Sequence, residues 1–521
     1  MKKILSLFLV VVVIFSMSCC SKNEQASVYS TNIKFTDEEL GGLKLPLSKE
    51  NATLTMMTIG DSNYNDLPAI CAIEEVTGIN LEITSIQEST FSEKLSTLIA
   101  ANQLTDIFPM TGTYQQVNDL AMQGAFVAVN DYMDKMPNFK RIFAENPDNN
   151  WVMKSYAAPD GKLYIIPDYE TVREVNSTMM YRKDIFDKHG LKMWTNNEEF
   201  YQTLKKLKEL YPNSTPFTGR GLSMIDRLSN AGLNMTNSQR VIYDSEKDTF
   251  IASDTSPQMK EALIFARKLY NEGLVDPEFL TLTLPAFTQK MSQADKAFVT
   301  ADWVSRMDMI TESARGTIPE FDLRFAPPTG NGKLTVNNPI VFGSALECVT
   351  KNKNSELSMK FIDFLLSPAG AELSTAGVEG EIYTLNERGY ASYKEFPDTV
   401  PTINDVETTY GLHVLVKRGD KRSSYFDVSE RLQEANKYII DNPELKREFA
   451  PVVFLTEEEK DITMKNATDI QKKAEEMMMK FITDSDPEKV WKNWLKTAEK
   501  LQISEMVSVY NKAYERQKKE M

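Results

Sequence analysis

The chain has 521 residues, 42% of them apolar and 10% aromatic, and carries a formal net charge of −15. That acidic balance excludes nucleic acid as a partner, since phosphate neutralisation needs concentrated Lys and Arg, and the length exceeds one small core, pointing to about 2 to 4 domains. Two histidines are too few for a histidine-built metal site, and four cysteines, two of them adjacent near the start, make no disulfide framework.

In chain order, Lys2 and Lys3 precede an apolar run from Ile4 to Phe15. The run is too short to span about 30 Å of hydrocarbon and has the length of a signal-peptide core. Ser16-Met17-Ser18-Cys19-Cys20 then resembles the bacterial lipobox, in which the cysteine is lipidated and becomes the mature N-terminus. Cys19, preceded by the small Ser18, is the expected anchor ahead of Cys20; an ordinary secretory signal cut nearby is the alternative. Residues 1–18 read as signal peptide and 19–50 as lipidated N-terminus and polar tether. The membrane is thus reached by a lipid anchor alone.

Leu54 to Gly60 is β-prone and ends at Gly60-Asp61, and Leu67 to Thr77 has helical spacing closed by Gly78. Ile79-Asn80-Leu81-Glu82-Ile83 alternates as a half-buried strand does. Phe91 to Ala101 is an amphipathic helix, and Asp106 to Met110 a short strand. This order is α/β. Phe126 to Met133 reads as a strand-to-helix junction, Lys162 to Pro167 as a strand, and Thr178 to Arg182 as another. Asn197 is the expected N-cap of a helix to Tyr211. Pro257 to Glu272 is a helix with Gly273 as its cap, Ala297 to Trp303 a strand, and Ser355 to Leu366 an amphipathic helix. From Thr456 onward the spacing predicts helices over 457–481, 486–501 and 503–516. Asp244 to Asp248 has alternating oxygens but lacks the central Gly and distal Glu of a calcium loop, so it reads as a turn. Cys71 and Cys348 either pair or remain free, buried free thiols being the expected state.

The order of elements resembles the extracellular solute-binding proteins of family 1, the maltose-binding-like class, in its long lipoprotein branch. The matching pieces are Glu74-Glu75-Val76-Thr77-Gly78-Ile79, Leu104-Thr105-Asp106-Ile107, Asp160 to Pro167, Met180-Tyr181-Arg182-Lys183-Asp184, Gly273 to Phe279, Phe361 to Ser367 and Val378 to Tyr383. The chain departs from the branch at Ile185, where a Trp often follows the Asp, and at Trp194-Thr195, where a Pro commonly precedes the Thr. The resemblance implies a two-lobed periplasmic-binding-protein-like (class II) fold with hinge crossovers and a helical C-terminal extension. Lobe 1 takes 51–170 and 320–375, and lobe 2 takes 171–319 and 376–521. Crossovers are expected near Tyr169-Glu170, Arg315 to Pro319 and Gly377 to Tyr383. The implied function is capture of a small nutrient, an oligosaccharide above all, by a monomer that delivers it to ABC permease subunits.

A sugar cleft needs aromatic faces for pyranose C–H groups and planar polar groups for hydroxyls. The candidates at strand ends and crossovers are Asp61, Tyr64, Thr113, Tyr114, Tyr169, Glu170, Arg173, Asp302, Trp303, Glu381 and Tyr383, with Arg182 set aside as a partner of Asp184. No nucleophile elbow, zincin, P-loop or dinucleotide motif occurs in the chain, and no cofactor, metal or catalytic residue is expected. A surface glycoside hydrolase, which needs two carboxylates across a cleft, and a sensor lipoprotein without a transport role are the alternatives.

Overall fold

The structure, a computed structural model, describes residues 33–521 apart from 61, 110–113, 171–172, 223–240, 330–332, 342–345, 398, 447–449, 454 and 521. Cys19 and the signal segment lie outside the described residues. The strands are β1 (Ala52–Ile59), β2 (Ile79–Ile86), β3 (Ile107–Phe108), β4 (Asp168–Tyr169), β5 (Val175–Arg182), β6 (Phe217–Thr218), β7 (Val241–Asp244) and β8 (Thr249–Ala252). They continue with β9 (Val299–Trp303), β10 (Leu323–Ala326), β11 (Thr335–Val336), β12 (Ile340–Val341), β13 (Cys348–Val349), β14 (Tyr383–Leu385) and β15 (Ala391–Tyr393).

Two sheets organise two bodies. The first has the order β13-β3-β1-β2, with β1 parallel to both β2 and β3 and β13 antiparallel. Successive side chains of a strand point to opposite faces, so Met56 and Ile107 enter one core and Met57 and Phe108 the other. Helices Pro68–Thr77 and Ser355–Leu365 cover the first face. The second sheet has the order β10-β5-β9-β6, with β11 also on β5. Met179 and Met180 part its two cores in the same way.

The helical tail belongs to the second body. Trp494 donates its indole N–H to Asp254 O (2.7 Å), and Asn511 clasps Phe250 of β8 through both backbone groups. The first tail helix expected from the spacing is two, Glu457–Met464 and Ala467–Thr483. Residues 162–167 form no ladder. Ile166 donates singly to Glu347 O (2.8 Å), leaving an extended segment rather than a strand.

The division of the lobes differs from the expected one in two places. Leu323–Ala326 pairs with β5, so 321–336 belongs to the second body and not the first. Ala376, Val378, Ile382, Tyr383, Tyr393 and Tyr410 pack into the core around β1, so 376–415 belongs to the first body. The expected crossovers at Arg315 to Pro319 and Gly377 to Tyr383 therefore lie inside single bodies. The connections run instead through Asp168–Arg173, through 337–341, and through 415–428. β4 pairs with β12, and Tyr169 bridges to Arg418. At this junction Lys417 is fully buried, 2.7 Å from Asp168 and donating to Ile166 O (2.7 Å).

Residues ahead of β1 are strapped to the first body. Thr36 caps the turn Asp37–Leu40, and Asn138 donates to Leu40 O (3.1 Å). Gly41 follows at φ +60°, and a Cβ there would meet Asn138 Oδ1 at 1.9 Å, so both conformation and space require glycine. Leu47 then donates to Thr77 O (2.7 Å).

Candidate functional site

In α/β sheets ligands bind beyond the carboxyl ends of parallel strands. The parallel β1, β2 and β3 all end on one edge of the first sheet, and the antiparallel β13 begins there. In the second sheet β6 and β9 are parallel and end at Thr218 and Trp303. Trp303 sits opposite Ser177 of β5, four residues beyond Arg173 at the junction. At the rise of an extended chain Ser177 lies within about 13 Å of Arg173, and the strand spacing adds about 5 Å, so the Trp303 backbone is within about 18 Å of the crossover. The carboxyl edge of the second sheet therefore faces the hinge.

The expected residues fare unequally. Asp61 and Thr113 lie outside the described residues. Tyr64 is 3% exposed and packs beneath Gly60, where an added Cβ would meet its Oη at 2.2 Å; it is core, not cleft. Tyr383 is likewise core, 2% exposed and donating to Glu372 (2.8 Å). Because the turn before β14 folds onto the first body's own core, Glu381 stands at no crossover. Tyr114 makes an edge contact with Tyr156 (5.1 Å) and donates to Val453 O (3.0 Å), joining the first body to the second. Burial pushes its hydroxyl pKa well above the tyrosine range. Tyr114 is a closing contact rather than an open ligand group. Arg182 pairs with Asp184 (2.6 Å) in the interior.

Two of the expected residues, Tyr169 and Glu170, meet at the hinge around Arg418. Tyr169 packs edge-on against Phe143 (5.9 Å). Glu170 holds φ +49°, uncommon for a residue with a Cβ, and its N–H donates to Pro339 O (2.8 Å). Its carboxylate is 3.6 Å from Arg418, whose guanidinium also lies 5.9 Å from the Tyr169 ring centroid. Arg173 is engaged elsewhere, 4.1 Å over the Tyr425 ring with Nε donating to Tyr425 O (2.7 Å).

At the end of β9 the arrangement is open. Asp302 accepts from the Trp303 N–H (2.7 Å) and from Arg220 Nη2 (3.0 Å), which holds its carboxylate inward at 10% exposure. The Trp303 side chain is thereby turned out, leaving the residue 59% exposed. Arg306 lies with its guanidinium 5.5 Å from the indole centroid. The sequence reading missed Arg220, Arg306 and Arg418. Arg306 opens the helix three residues past Trp303, and that nearness along the chain is a local signal; Arg220 is joined to Asp302 across 82 positions and leaves none. Such a site stacks a sugar ring on indole and donates hydrogen bonds from guanidinium. Among the described residues no group of three or more His, Cys, Asp or Glu is arranged to hold a metal.

The profile of the bacterial extracellular solute-binding proteins matches residues 68–372. The chain belongs to that family. Among curated relatives it is similar to the fructooligosaccharide ABC transporter substrate-binding protein FusA of Streptococcus pneumoniae serotype 4, at 25% identity over 96% of this chain and 95% of that one. It is also similar to the polygalacturonan/rhamnogalacturonan-binding protein YtcQ of Bacillus subtilis (strain 168), at 21% identity over 72% of this chain and 76% of the relative. The solved structure of alginate-binding protein AlgQ2 without calcium ion matches with a TM-score of 0.68 at 23% identity, covering 90% of this chain and 99% of that one. The fold of this solute-binding protein is accordingly the class II two-lobed one, and its named relatives are substrate-binding proteins.

Proposed function

We propose that this protein binds an oligosaccharide between its two lobes outside the cytoplasm and delivers it to an ABC importer. The observation that carries the proposal is the exposed indole of Trp303 at a strand end facing the hinge. An indole at 59% exposure leaves much of its face wet, and covering it with a sugar ring removes apolar area from water at about 25 cal/mol per Å². Residues 1–32 fit the proposal as a signal segment and a Cys19 anchor, with the protein acting as a monomer. The carboxylates of Glu170 and Asp302 are held by arginines, an arrangement for orientation rather than for acid–base work.

Relatives named for neutral and for acidic polymers both occur, fructooligosaccharide for FusA and polygalacturonan for YtcQ, so the family by itself does not set the sugar. Thermal unfolding with a panel of neutral and acidic oligosaccharides tests the proposal. A bound ligand at about 100 times its dissociation constant adds about 2.7 kcal/mol. Trp303→Ala abolishes that stabilisation and leaves the unliganded melt nearly unchanged. A panel in which no oligosaccharide shifts the melt overturns the reading.

A further inference from the structure

We propose that the sugar unit stacked on Trp303 carries a carboxylate, making the ligand a uronic-acid oligosaccharide, and that Arg306 selects for it. The proposal rests on the oligosaccharide reading and narrows it.

A neutral sugar hydroxyl both donates and accepts, so a site for neutral sugars presents acceptors as well as donors. The charged groups at Trp303 present donors. Asp302 is the carboxylate of the cluster, and both its oxygens are occupied, Oδ1 by the Trp303 N–H and Oδ2 by Arg220. Arg306 is 16% exposed and stands 4.0 Å from Asp302 Oδ2, beyond hydrogen-bond reach. Its Nε has no hydrogen-bond partner among the described residues, and Nη1 reaches the thioether sulfur of Met309 (3.4 Å), a weak acceptor. A largely buried guanidinium so poorly satisfied is costly, and a carboxylate resting beside the indole gives its outer nitrogens a charged acceptor.

The charge agrees. Among the described residues Arg220 and Arg306 both stand against Asp302 at this edge, more cationic than anionic side chains in a chain of net −15. Repulsion from the rest of the protein is screened beyond about 8 Å at physiological ionic strength, so the local excess governs a group lying against Arg306.

The test is calorimetric titration of the full mature chain with trigalacturonate and trimannuronate, each beside the same trimer with its carboxyl groups reduced to hydroxymethyl. At least one uronate trimer binds about tenfold or more tightly than its reduced counterpart, and added salt narrows the gap. Arg306→Gln costs the uronate trimer more affinity than its reduced counterpart, so the preference is lost; Arg306→Lys, which keeps the charge and the fold, retains part of it. Reduced trimers or neutral fructooligosaccharides binding as tightly as the uronates overturn the proposal and leave the oligosaccharide function standing. An Arg306→Gln that weakens charged and reduced trimers equally overturns it too. Failure of every sugar overturns the function itself.

Discussion

His413 shows how one residue's surroundings become a pH dependence. It adopts φ +64° beside the third connection, with Nε2 3.1 Å from Ser423 Oγ. Burial, followed by the charge of Arg173, lowers its pKa to about 4 from the ordinary 6.5. Between those values the unfolded chain holds more protons than the folded one, so stability rises with pH and is lost as pH falls from 6.5 towards 4. Because the residue as a whole is only partly buried, solvent trims the effect to about 2 kcal/mol. Asp363 acts oppositely. Burial raises its carboxyl to about 6, so its contribution is greatest below the usual carboxylate range and is lost as pH rises through 6. The difference between wild type and His413→Asn isolates the histidine, since Asn tolerates the left-handed backbone. Urea unfolding at pH 4 and pH 7 should show the wild type losing about 2 kcal/mol more than the variant on acidification. Equal losses would place the imidazole in ordinary water.

At the scale of elements, the helix Glu457–Met464 depends on its first turn. Thr456 and Glu459 form a reciprocal cap, and Glu459 also holds Arg516 of the last helix at 2.8 Å. Thr456→Ala should cost about 1 kcal/mol, read as faster amide exchange across 457–464, with β1 unaffected. Elements of this kind were legible in the sequence where a period was sustained. β2 alternates, and Pro257–Asn271 and Ser355–Leu365 keep helical spacing. The stretch 162–167 is β-prone in composition, yet its bonds go singly to neighbours, which no local pattern reveals. Helix caps were read to within one position, Asn196 being the true cap and not Asn197. The candidate site was legible in part. Standing after a strand marked Trp303, but the same logic marked Tyr64 and Tyr383, because position along a chain does not say whether a ring turns inward. Arg220 escaped because its partner is distant in sequence, and 376–415 was assigned to the wrong lobe because it packs on the helix Pro68–Thr77, more than 300 residues earlier, as Gly411 does on Ile70.

For the molecule as a whole, the two bodies touch at two places among the described residues. One is the hinge of three connections. The other joins helices Tyr114–Met122 and Val152–Ser155 to the tail: Tyr114 to Val453, Gln517 to Ser155 Oγ (3.0 Å) and Val452 O (2.9 Å), and Lys460 to Asp119 (3.5 Å). Each neutral bond contributes about 1 kcal/mol, enough to bias a hinge equilibrium whose states differ by a few kcal/mol. Tyr114→Phe combined with Gln517→Ala should widen the unliganded protein in small-angle scattering while leaving its unfolding midpoint within a few degrees. An unchanged radius of gyration would show that the hinge alone sets the spacing. The strap at Leu40-Gly41 bears on how such opening is used. With the chain's leading segment buttoned to Asn138, a pull from upstream is borne by one half alone. The other half, with the indole at its rim, keeps its full swing.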